Sequence, residues 1–83
     1  MRVIARRAPA RAADELSHRE REVAALVARG CTNAEIGRRL FLSELTARNY
    51  VSSILGKLEL RSRAEVASWA AANGLVDAGA REA

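Results

Sequence analysis

From Leu16 onward the apolar positions fall into short runs of helical period, each preceded by a polar residue able to cap a helix. Leu16, Val23, Leu26 and Val27 share one side of a first helix that opens at Ser17. Ser17 and Glu20 have the spacing of a capping box, in which each side chain satisfies the other's free backbone N–H. Gly30 is placed to end this helix, because glycine takes the left-handed cap conformation without a Cβ clash. Thr32 and Glu35 form a second such box, and Ile36 and Leu40 give a short helix of about nine residues its buried stripe.

Ser43 is the next cap candidate, ahead of a longer helix over about 44–58. There Ala47, Val51, Ile54, Leu55 and Leu58 repeat at the spacing of an apolar stripe. Ser62 and Glu65 make a third capping box, opening a last helix from about 63 to 73 that Asn73 and Gly74 terminate. No strand-like alternation and no internal repeat interrupts this pattern. The expectation is an all-α, compact four-helix domain over 16–75. A basic flexible arm or linker precedes it over 1–15, and a frayed tail follows over 76–83.

Composition agrees with small, locally built helices. Of 83 residues nearly half are apolar, but Phe, Tyr and Trp occur once each, so Ala, Leu and Val must do most of the packing. The one cysteine, Cys31, excludes an intramolecular disulfide or a CxxC metal cluster, and the single His18 cannot complete a metal site with it. No apolar run is long enough to span a bilayer, and residues 1–13 lack the apolar middle of a secretory signal. A reducing cytoplasm is the expected setting, with no cofactor and no membrane partner.

The net charge of +4 changes meaning once mapped. Arg2, Arg6, Arg7 and Arg11 carry all of it, and from Asp14 onward the basic and acidic residues balance. Within that neutral part, residues 38–63 hold Arg38, Arg39, Arg48, Lys57, Arg61 and Arg63 against only Glu44 and Glu59. A basic zone on a neutral domain fits a polyanionic partner such as DNA. An ordinary solvated mixture of charges fits it as well.

The second and third helices are separated by little more than Leu42 and Ser43, which are the parts of a helix-turn-helix. In such a unit one face of the second helix holds the domain and the other enters the major groove. At 100° per residue, Asn49 and Ser53 lie opposite the apolar stripe, with Leu45, Thr46, Ser52 and Gly56 beside them and Arg48 on the flank. Asn can bond adenine in bidentate fashion, Arg favours guanine, Ser and Thr bond bases or phosphates, and Leu45 can touch a thymine methyl.

The residues carry a resemblance as well. Leu16-Ser17-His18-Arg19-Glu20-Arg21-Glu22-Val23 is similar to the opening signature of the LuxR/FixJ/NarL (GerE-type) regulator family. Gly30-Cys31-Thr32-Asn33-Ala34-Glu35-Ile36 resembles its G-x-[ST]-N-x-E-I element. Residues 42–51 resemble its L-S-x-x-T-V-K-x-[HY]-V recognition helix, and 54–65 its I-x-x-K-L…R-x-E close. The resemblance covers about 16–72, in order and at family spacing. It implies a sequence-specific transcriptional regulator, the effector domain of a response regulator of a two-component system or a minimal stand-alone regulator. It also implies binding to double-stranded DNA as a homodimer, with RNA polymerase a further partner.

By position, Arg48 takes the place of a DNA-contacting lysine and Asn49 the next base-facing place. Thr46 takes a phosphate-contacting place, and Lys57 the basic place near the helix end. The candidate DNA-contacting set is Asn33, Ser43, Leu45, Thr46, Arg48, Asn49, Ser52, Ser53, Lys57, Arg61 and Arg63. The family's fourth helix commonly mediates dimer contact, which makes Val66, Trp69, Ala70 and Asn73 the candidate dimer interface, although core packing accounts for Trp69 about as well. The chain departs from the family in four ways. Ala47 replaces the usual Val, Gly37 a frequent Ala, Glu59 the Gly that turns the chain after K-L, and Leu45 falls where some members carry a DNA-contacting lysine, which bears on the sequence read and not on groove docking.

Two other functions compete with this one. A region-4-like module of a sigma factor shares the helix-turn-helix, but the Lys57-Leu58…Arg61-Ser62-Arg63 close argues against it. A protein-interaction module would use the last helix. An enzyme is not expected, because no catalytic pair or triad can be assembled. His18 has no partner at catalytic spacing, and Cys31 reads as a small helix-junction residue.

Overall fold

The computed structural model describes residues 15–75. The arm arginines and Pro9, and the tail over 76–83, lie outside the described residues. Four helices follow one another: α1 His18–Ala28, α2 Asn33–Leu40, α3 Glu44–Leu58 and α4 Arg63–Ala72. The all-α expectation holds, with boundaries within one residue of those read from the pattern.

Each helix starts on the residue expected. Ser17 and Thr32 make full capping boxes with Glu20 and Glu35. Ser43 caps α3, its Oγ accepting the Thr46 N–H. The third box is only half formed. Ser62 Oγ accepts the Glu65 N–H at 3.2 Å, but Glu65 Oε1 accepts from the Arg61 N–H at 2.7 Å and not from Ser62. The free donor nearest the carboxylate lies one residue further out than the motif assumes.

All four helices also end alike. A residue of positive φ follows the last turn, and the N–H after it reaches back to a carbonyl five residues earlier, which satisfies orphan carbonyls. Cys31 N donates to Leu26 O, Leu42 N to Gly37 O, Leu60 N to Leu55 O and Leu75 N to Ala70 O, all at 2.8–3.0 Å. At two ends the positive-φ residue is glycine, Gly30 and Gly74. At the other two it is Phe41 (φ 60°) and Glu59 (φ 57°). A side chain in this conformation costs roughly 1–2 kcal/mol, so the turn after α3 takes the left-handed conformation that glycine favours while carrying Glu59.

The core gathers one face of every helix. Leu16, Val23, Ala24, Leu26 and Val27 meet Ile36, Ala47, Val51, Ile54 and Leu58, and Val66, Trp69 and Ala70 close the other side. α1 packs mainly on α4, and α2 mainly on α3. Val66, Trp69 and Ala70 are therefore buried in the core of a single copy, the packing role that the sequence left beside a dimer face. Three apolar residues at i, i+3 and i+4 look the same from either side. What decides is α1, whose apolar side needs cover, and burying a large side chain there stabilises by about 1.5–3 kcal/mol.

The α2–α3 turn depends on Gly37. A Cβ at this position would lie 2.5 Å from the Leu42 carbonyl oxygen and 3.4 Å from Ser43 backbone atoms. The glycine is thus what lets the chain fold back so tightly, and it sets the angle at which α3 leaves α2.

Candidate nucleic-acid interface

α3 is held at both ends and along one face. Ser43 Oγ accepts the Thr46 N–H at 3.0 Å and donates to Thr46 Oγ1 at 2.9 Å, so cap and first turn are one unit. Ala47, Val51, Ile54 and Leu58 are buried beneath. On the opposite side Leu45, Arg48, Asn49, Ser52 and Gly56 are exposed. Among the described residues no hydrogen bond or ion pair engages the side chains of Arg48, Asn49 or Ser52.

Ser53 is not part of that open face. The sequence pattern put it opposite the apolar stripe. It is instead half-buried, with its hydroxyl donating to Glu20 Oε2 at 2.8 Å. Ser52 and Ser53 lie at similar angles from the stripe, roughly 130° to either side, but α1 packs against only one flank of α3. The periodicity of one helix does not say which flank its neighbour covers.

Lys57 faces the same way. Its Nζ lies 2.9 Å from Glu20 Oε1 and 3.4 Å from the Glu15 carbonyl oxygen. Its charge is thereby matched inside the domain, although the side chain remains partly exposed. Glu20 is the centre of this arrangement. It is 5% exposed, and its two oxygens accept from the Ser17 N–H, Lys57 and Ser53. Burial alone would raise its pKa. The three donors and the nearby ammonium outweigh that and hold it at about 2. Sequence reasoning saw Glu20 only as a cap. The missed signal is that Glu20 falls between Leu16 and Val23 on the apolar side of α1, where a carboxylate needs donors from another helix.

Two more candidate residues are joined to each other. Arg63 Nη1 donates to Asn33 Oδ1 at 2.9 Å and Nη2 to the Cys31 carbonyl at 2.8 Å, so the guanidinium fork fastens the start of α2 to the start of α4. Arg61 is exposed, and its backbone N–H is the one taken by Glu65. Asn73 Nδ2 donates to the Trp69 carbonyl at the end of α4. The basic zone at 38–63 thus divides. Lys57 and Arg63 brace the fold, while Arg38, Arg39, Arg48 and Arg61 stand in solvent.

Glu35 has a lowered pKa, first because the Thr32 N–H donates to it and further because Arg38 and Arg39 are near. Among the described residues no three His, Cys, Asp or Glu side chains gather as metal ligands. None of the described helices is long and apolar enough to cross a membrane.

Comparison with known proteins agrees with this architecture. The family model for bacterial regulatory proteins, luxR family (GerE), matches residues 14–70. Transcriptional regulatory protein LiaR of Bacillus subtilis is 39% identical over 64 residues, covering 77% of this chain and 30% of that protein. Nitrate/nitrite response regulator protein NarL of Escherichia coli K12 is 41% identical over 56 residues, 68% of this chain and 26% of its own. DNA-binding transcriptional activator DevR/DosR of Mycobacterium tuberculosis is 42% identical over 55 residues, 66% and 25%. The chain therefore aligns with about a third or less of the length of these relatives. No solved structure gives a significant match. With the family model spanning all of α1 to α3 and most of α4, the chain belongs to the luxR family of bacterial regulatory proteins.

Proposed function

We propose that this domain binds double-stranded DNA in a sequence-dependent manner as the effector part of a transcriptional regulator, with α3 in the major groove. One observation carries the reading. α3 is fastened by its cap, its apolar stripe and the Glu20 network, yet its outward residues Leu45, Arg48, Asn49 and Ser52 serve no part of the fold. A rigid helix with a small, polar, open face is what base edges require. Arg38, Arg39 and Arg61 supply candidate phosphate contacts around it. Such a regulator works in the cytoplasm.

The test is selection of bound duplexes from random DNA by the whole chain, followed by the double variant Arg48→Ala/Asn49→Ala. Binding to the selected site weakens at least about fivefold, the loss of one good base contact, with unchanged helical circular dichroism. Equal affinity of the variant and the parent chain at matched salt overturns the assignment.

The same reading places a second copy of the chain against the outward side of α4. With Val66, Trp69 and Ala70 committed to the core, that side presents Ala64, Glu65, Ser68 and Ala72, which with Leu60 before the helix, Asn73 after it and the edge of Trp69 line a groove. A dimer through this groove predicts that Ala64→Glu abolishes cooperative binding to paired half-sites and spares binding to one. Retained cooperativity refutes this interface.

A further inference from the structure

Leu45 is exposed at 56% on the first turn of α3, and it and Phe41 are the large hydrophobics left exposed among the described residues. Burying it in place is not an available alternative, because the core side of this turn is taken by Ala47. Leucine has neither donor nor acceptor. In the major groove the one feature of a base edge it can recognise is the C5 methyl of thymine.

Its neighbours sharpen this. Leu45 lines a small depression with Glu44 and Arg48. The Glu44 carboxylate disfavours a phosphate in that depression, which leaves the apolar Leu45 side chain to meet a base edge. Arg48 stands three residues on, on the same side. Three residues advance a helix by about 4.5 Å, nearer to one than to two of the ~3.4 Å steps between bases.

We propose that Leu45 reads a thymine methyl, on the base step adjacent to the guanine bonded by Arg48. The assignment rests on α3 docking in the major groove and adds a base identity to it. Leu45 is then a specificity residue whose contribution lies wholly in one methyl group.

The experiment uses the whole chain and its selected site, with each thymine replaced in turn by deoxyuridine, which removes the methyl and leaves every hydrogen-bonding group. One such replacement, next to the Arg48-dependent base pair, weakens binding by about three- to fivefold, the scale of one buried carbon. In Leu45→Ala the parent affinity falls by a similar factor and that same replacement has no further effect. If no thymine responds, or if the response persists in Leu45→Ala, Leu45 is not the reader. If selection yields no preferred sequence at all, the groove-docking assignment itself fails, an outcome distinct from the other two. Leu45 is exposed, so Leu45→Ala keeps the fold, which its helical circular dichroism checks.

Discussion

The Lys57 ammonium sits 2.9 Å from the Glu20 carboxylate and ties the last turn of α3 to the first turn of α1. Because Glu20 is nearly buried, the pair joins two helices that are far apart in sequence, and it does so beside the proposed binding face. Removing the carboxylate leaves the half-exposed Lys57 hydrated, but it deprives Ser53 and the Ser17 N–H of their partner.

The pH dependence of stability follows from Glu20. Its pKa is about 2 in the fold against an ordinary value of 4.5. A depressed carboxylate pKa contributes stability that is complete above the unfolded value and is lost as pH falls through the folded value. Urea midpoints should therefore fall steadily between about pH 5 and pH 2, with a contribution on the order of 2 kcal/mol from this group. Glu20→Gln should be less stable at pH 7 and show a flatter profile. A slope unchanged in the variant would mean that the acid response comes from elsewhere, Glu35 being the next depressed carboxylate.

Lys57 and Arg61 should separate cleanly in salt titrations. The Lys57 side chain is matched internally, whereas that of Arg61 is open. Arg61→Met should lower the slope of log affinity against log salt by up to about 0.9 with stability nearly unchanged. Lys57→Met should do the reverse, lowering the denaturation midpoint with a smaller change of slope. Identical slope changes would show that Lys57 leaves Glu20 for phosphate on binding.

Gly37→Ala tests the turn. Alanine is worth about 1 kcal/mol more than glycine in a helix, and a frequent alanine in the family makes it look harmless. Here its Cβ would strike the Leu42 carbonyl, and overpacking of this kind costs typically 1–3 kcal/mol. The variant should be less stable by about 1 kcal/mol, with weaker DNA binding because α3 is re-angled. A more stable variant would show that the turn yields freely.

Phe41→Gly should move stability the other way. Phe41 holds φ at 60° with its ring 94% exposed. Glycine takes that conformation without steric cost and gives up almost no burial, so the unfolding free energy should rise by about 0.5–1 kcal/mol, read as a higher urea midpoint. A loss of stability would reveal a contact made by the ring.

Helix positions and caps were legible because they are local. Ser17, Thr32, Ser43 and Ser62 lie immediately before their apolar runs, and the residues that satisfy them are within three positions. Less legible was whatever depends on which helix leans on which. Ser53 and Ser52 are equivalent on a helical wheel and differ only because α1 covers one of them. Lys57 and Arg63 counted as free positive charge until the fold brought Glu20, Asn33 and the Cys31 carbonyl to them. Val66, Trp69 and Ala70 were apolar and periodic, which describes a core stripe and an interface equally.

The side chains that fasten α3 and those that face away from the domain are separate groups. Ala47, Val51, Ile54, Leu58, Ser43 and Ser53 do the first task, while Leu45, Arg48, Asn49 and Ser52 are left over. Replacing a leftover residue disturbs nothing beneath it. Duplicated copies of such a domain can therefore drift to new targets one substitution at a time, passing only through folded intermediates. Lettering of this kind can be changed without recasting the plate.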